Sequence, residues 1–166
     1  MPEIFPGRFT ADVEGDFVVF LIGMRANRPW KLRKTMAVAR AMPPILKDLE
    51  EHPEKGCLGT RQALLSPISP LVIQFWRDFE SLERYAREDM QHSEPWKRFY
   101  RVVGLKGDVG IWHETFQVRA GEYEAIYGNM PRFGMAFAGQ HRPLGSASRA
   151  RERLDRSAPA AGGRPT

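Results

Sequence analysis

One cysteine, Cys57, stands in a chain of 166 residues, which excludes an internal disulfide framework and a zinc site built from several thiolates. Long apolar runs are missing too. Nothing approaches the roughly 18 residues that a membrane-spanning helix needs, so none is expected. The opening, MPEIFPGRFT, has no basic segment leading into an apolar stretch, and a secretory leader is not expected either. No P-loop, dinucleotide-binding glycine pattern or G-x-S-x-G elbow occurs, which removes nucleotide binding and serine hydrolysis. His, Asp and Glu are not spaced as metal ligands, so neither zinc nor non-haem iron is expected. With thiols scarce and no export signal, the default expectation is a cytoplasmic protein.

Excess charge is also missing from most of the chain. Of the net charge of +5, four units come from residues 139–166, where six arginines outnumber two acids. That segment, GQHRPLGSASRARERLDRSAPAAGGRPT, is nearly free of large apolar groups. It cannot bury enough surface to offset its ordering entropy, so residues 139–166 are expected to be a disordered tail with a frayed helical turn at 148–155. No aromatic residue interleaves its arginines, and a nucleic-acid arm is not expected. Residues 1–138 then form the single folded domain.

What is present is a core: 42% of residues are hydrophobic, enough to close one domain of this length. After a proline-punctuated lead, FVVFLIGMRAN (17–27) is β-branched and apolar without helical spacing, which predicts a central strand. Residues 31–52 show helical spacing through Leu32, Met36, Ala39 and Met42, then again at Ile45, Leu46 and Leu49. The pair Pro43-Pro44 between them predicts a kink or two helices end to end. Residues 57–66 and 70–79 read as strands around a Ser-Pro-Ile-Ser-Pro turn. SLERYAREDM (81–90) opens a helix with Ser81 as its N-cap, and PWKRFYRVV restarts it. Residues 108–118 are the last strand, and 119–137 an irregular segment dense in Tyr, Met and Phe. The order β-α-β-β-α-β predicts an α+β, ferredoxin-like fold with both helices on one face of the sheet.

The last strand carries the chemistry. In GDVGIWHETF (107–116), alternation puts Val109, Ile111, His113 and Thr115 on one face and Trp112, Glu114, Phe116 and Val118 on the other. Both sets are mainly apolar, which predicts a strand covered on both sides. His113 and Glu114 therefore serve opposite faces and are not a dyad. A carboxylate among aromatics has a raised pKa unless paired, which suits a general base. The plainer alternatives also stand: Glu114 paired to an arginine across the sheet, and His113 hydrogen-bonded to backbone in the core.

FVVFLIGMR, MPPILKDLE, QFWRDFESLERYARE, HSEPWKRF, GDVGIWHETF and GEYEAIYGNMPRFGMA, in this order over roughly residues 5–137, resemble a monooxygenase-like family, formerly a domain of unknown function. It lies in the dimeric α+β barrel superfamily and is related to antibiotic-biosynthesis-type monooxygenases. The resemblance implies a homodimer in which two ferredoxin-like units pair sheet to sheet, with a cavity between helices and barrel. Superfamily relatives include cofactor-independent monooxygenases, haem-degrading oxygenases and haem-dependent aldoxime dehydratases. Fold alone does not select among them.

The expectation is a small monooxygenase-like oxidoreductase acting on a hydrophobic metabolite, with no cofactor. The substrate itself would supply electrons to oxygen once a base, Glu114 or His113, removes a proton. Glu114 is favoured, because it shares its face with Trp112 and Phe116. Asn129 or Gln74 would polarise an oxygen, and Trp76, Trp96, Trp112, Phe116, Tyr127 and Met130 would line the cavity. The alternatives are haem held by His92, which sits four residues before Trp96, and a non-catalytic ligand-binding module.

Overall fold

The computed structural model describes residues 2–90, 101, 107–145 and 149–157. In chain order the elements are β1 (Phe5–Asp12), β2 (Phe17–Ala26), α1 (Leu32–Ala39), α2 (Met42–Glu51), β3 (Cys57–Ser66), β4 (Ser69–Trp76), α3 (Phe79–Arg84), β5 (Val109–Val118), β6 (Tyr127–Met130), β7 (Gln140–Pro143) and α4 (Ala150–Ser157). No described helix is long and apolar enough to cross a membrane.

The apolar run 17–26 is central, as its lack of polar alternation predicts. Strand β2 pairs with β4 on one side and β5 on the other, and β3 closes the far edge, giving the antiparallel order β3-β4-β2-β5. This is the ferredoxin-like sheet. Helices α1 and α2 cover one face. Val18 of β2 packs there with Ile45 and Leu49 of α2 and with the fully buried Trp76, and Met24 packs with Val38 of α1 and Val109 of β5. Fully burying side chains of this kind contributes about 1.5–3 kcal/mol each.

The proline pair resolves as two helices. Helix α1 stops at Ala39, and α2 takes its prolines into the first turn, where a missing N–H costs nothing. Helix α3 starts earlier than expected. Its N-cap is Asp78, whose Oδ1 accepts from the Ser81 N–H at 2.6 Å, so Ser81 is inside the helix. A π-helical turn, Tyr85–Met90, follows.

A second sheet, in the order β6-β1-β7, was not foreseen. The lead is strand β1 despite its proline, and β6 lies in the stretch read as irregular. Strand β7 falls beyond the expected domain boundary at 138, so that boundary is corrected. Gln140–Pro143 pairs with Ala11 and its neighbours on β1, and Leu144 behind it is buried. The chain can approach so closely because residue 139 is glycine: a Cβ there would lie 2.1 Å from the Asp12 carbonyl oxygen. Four residues of the Arg-rich segment are thus held by backbone pairing, with the His141 ring packed among Phe5, Phe9 and Tyr127. A further eight form α4, which overlaps the helical turn read at 148–155.

The second sheet and its connections answer half of what covers the other face. Tyr123, Met135 and Ala138 pack over Phe17, Val19, Ile73, Phe75 and Val118 there. The expected double cover of β5 does not extend along its length among the described residues. The strand is at the sheet edge, and Phe116 keeps 49% of its surface exposed.

Candidate functional site

Where α1 gives way to α2, a cavity of about 630 Å³ opens between the helix pair and the sheet. Val38, Ala39, Met42, Pro43 and Ile45 line it from above, and all four strands contribute from below. Gln62 and His113 are the polar side chains that the helix-covered face brings to it, and His113 is the one ionisable group among the described lining residues. Cavities of this size and character accept small organic molecules and rely on a few polar groups for orientation.

The register shows how the polar groups are placed. His113 lies opposite Ile22, Ile22 opposite Val72, and Val72 opposite Gln62. These four residues form one transverse row across the sheet on its helix-covered face. Each end of the row is polar and the middle is apolar. His113 meets the Phe20 ring at 5.6 Å between centroids, and it makes no hydrogen bond with any described residue. Its ring nitrogens are thus available to a bound molecule.

The alternation argument holds along β5. Glu114 lies opposite Leu21, on the face away from the helices, and is exposed with no ion pair among the described residues. Glu114, the favoured of the two, therefore does not line the cavity, and no arginine among the described residues holds it across the sheet. Trp112 lies opposite Gly23, and its ring sits so close that a Cβ on Gly23 would meet it at 2.7 Å.

Several other expected site residues belong to structure. Trp76 is fully buried, and its Nε1–H donates to Gln74 Oε1 at 2.9 Å, so each satisfies the other in the core. Neither lines the cavity. Phe116 faces outward on the uncovered side. Tyr127, Asn129 and Met130 form β6 in the second sheet. Asn129 has φ of 52°, a left-handed conformation that asparagine tolerates, and its Oδ1 accepts from the Gly7 N–H at 2.8 Å. These three are removed from the cavity because their strand pairs with β1, a pairing that no local pattern announces. Trp96 and His92 lie outside the described residues. Burial pushes the Cys57 thiol up to about 11, so it is no ready nucleophile.

Just past one end of the cavity lies a cluster that sequence reasoning missed. Asp108 is fully buried, and its carboxylate is held by Lys34 at 2.5 Å, Arg28 at 2.7 Å and Lys31 at 3.0 Å. The Lys34 and Lys31 ammoniums, with the Arg28 guanidinium, hold its carboxyl well below the usual range. It ties the start of α1 to the start of β5 beside the packed Met24–Val38–Val109 group. The available signal was a lone acid at a strand start and the basic stretch RANRPWKLRK earlier in the chain. Gln62 was missed as well, because a mid-strand glutamine reads the same whether it faces solvent or a cavity.

Residues 17–135 match the family model described as "Monooxygenase af470-like". Monooxygenase af470 of Aspergillus fumigatus is 29% identical over 150 residues, a match covering 78% of this chain and 53% of that protein. The chain thus spans about half the length of this curated relative. The crystal structure of an aldoxime dehydratase (OxdRE) in complex with butyraldoxime superposes with a TM-score of 0.64 at 19% identity. That superposition covers 78% of this chain and 39% of the dehydratase, and it speaks to the fold alone.

Proposed function

The chain belongs to the Monooxygenase af470-like family, and from that premise we propose that it is a monooxygenase-type oxidoreductase for a hydrophobic small molecule bound between α1, α2 and the sheet. The observation that carries this reading is the apolar cavity of about 630 Å³ with His113 as the one ionisable group among its described lining residues.

His113 is the proton acceptor in this reading. It has no hydrogen-bond partner to displace among the described residues, and it borders an apolar chamber. A phenol-activated CH₂ group gives up a proton to His113 and passes electrons to molecular oxygen. A C–O bond forms, the O–O bond breaks, and the products are a carbonyl and water, so CH₂ plus O₂ becomes C=O plus H₂O. No external reductant or cofactor enters this balance. Trp112, packed on Gly23, holds the β5 backbone beside His113 against β2, which makes it a positioning residue.

The test is oxygen uptake with electron-rich, apolar phenols and no added cofactor. Uptake that falls by orders of magnitude in His113→Ala and survives in Glu114→Gln supports the reading. Unchanged uptake in His113→Ala ends it.

The uncovered half of the outer sheet face, with Phe116 and Leu65 exposed, is proposed to pair with a second copy of the chain. Sedimentation at micromolar concentration checks this, with Phe116→Lys expected to give monomers. A wild-type monomer rejects it.

A further inference from the structure

Gln62 is the cavity's second polar end, and its position relative to His113 is set by strand order rather than by flexible loops. His113 lies on β5 and Gln62 on β3, the two edge strands of the sheet. Their shared row runs His113–Ile22–Val72–Gln62. Three strand spacings separate the ends, which is about 14 Å between backbones. Between them the row offers only Ile22 and Val72. The next row toward Met24 is apolar throughout, with Ile111, Met24, Pro70 and Leu64.

Gln62 makes no hydrogen bond with any described residue, and its amide offers both a donor and an acceptor. Two polar groups outside this row are committed. Gln74, one row away, is spent on the Trp76 indole, and Asp108 is spent on three cations. The row that crosses the cavity thus keeps both of its polar ends open to a bound molecule.

We infer that Gln62 is a specificity-determining residue, selecting an elongated apolar substrate with a hydroxyl or carbonyl at the end remote from the group that reacts at His113. This rests on the cavity being the substrate chamber. A molecule lying along the row places its apolar body over Ile22 and Val72 and reaches a hydrogen-bonding group at each end. A shorter molecule reaches one end alone. An elongated molecule with a wholly apolar far end leaves the Gln62 amide without its bond, and a site built to hydrogen-bond a ligand group discriminates against the analogue that lacks it.

The test compares para-alkylphenols with para-(ω-hydroxyalkyl)phenols of matched and increasing chain length, by titration calorimetry on the full chain. At one length the hydroxyl-terminated compound is expected to bind about 3- to 10-fold tighter than its methyl-terminated twin, the range of one hydrogen bond. Gln62→Leu is expected to erase that preference while alkylphenol affinity holds or rises. Gln62→Asn, a shorter amide, is expected to move the preferred length upward. A preference absent at every length, or one that persists in Gln62→Leu, overturns the assignment. Binding of neither series overturns it together with the chamber itself. Alkylphenols that bind and react without any length preference overturn the role of Gln62 and leave His113 standing.

Discussion

Asp108 and His113 stand five residues apart in one segment, and their surroundings differ in every respect that matters. Asp108 has no exposed surface and is gripped by Lys34, Lys31 and Arg28. His113 is exposed, borders the cavity, touches one aromatic ring and is bonded to nothing among the described residues. The contrast separates two uses of polarity. A buried charge with three partners is a tether, because its desolvation is offset only while all of them hold. A polar group without a partner beside an apolar chamber has a bond left to give. Trp76 with Gln74 falls in the first class, and Gln62 falls with His113 in the second.

The largest effect that tests this division is catalytic. His113→Ala is expected to lower oxygen uptake by about 10²- to 10⁴-fold, the usual contribution of a positioned acid or base, with no change in the urea midpoint. A large fall in the midpoint would put His113 with the tethers and break the comparison.

Asp108→Asn should behave in the opposite sense. It is expected to cut the urea midpoint sharply and to alter uptake only in proportion to the unfolded fraction. Its pH signature is more specific. The three cations hold the folded carboxyl below its ordinary value of 3.8, so its stabilisation is complete above about pH 4. That stabilisation is lost as the pH falls through the depressed folded value. Urea midpoints measured from pH 6 downward should decline below about pH 4 in the wild type and decline less in Asp108→Asn. Parallel curves would show that the cluster is not the tether.

Gln74→Leu is smaller. It leaves the buried Trp76 N–H without an acceptor, a loss of about 1–3 kcal/mol in denaturant unfolding with the rate constant per folded molecule intact. A change in substrate preference would return Gln74 to the cavity. The smallest effect belongs to Glu114→Gln, on the exposed face away from the helices, where uptake and stability should both stay within about 0.5 kcal/mol of wild type.

The ferredoxin-like core was legible because its signals are local. The apolar run at 17–26, the helical spacing at 32–49 and the alternation at 109–118 each follow from the period of one element, and the split of His113 from Glu114 follows from the same alternation. The second sheet was not legible. Its strands β6 and β7 have only four residues each, and its pairing joins Phe5–Asp12 to partners more than a hundred residues away. That pairing also took Tyr127, Asn129 and Met130 away from the cavity they were expected to line.

The sequence by itself therefore determined the elements of the ferredoxin-like core, their order and the family, because periodicity and motif spacing are properties of neighbouring residues. It also determined that His113 and Glu114 part company across the strand. Which of them meets the cavity was decided only by the tertiary structure, since helices α1 and α2 had to choose a face before either face had a meaning. The pairing of Gln62 with His113 across four strands was decided there too. A row is made by register, and register exists only once the strands have met.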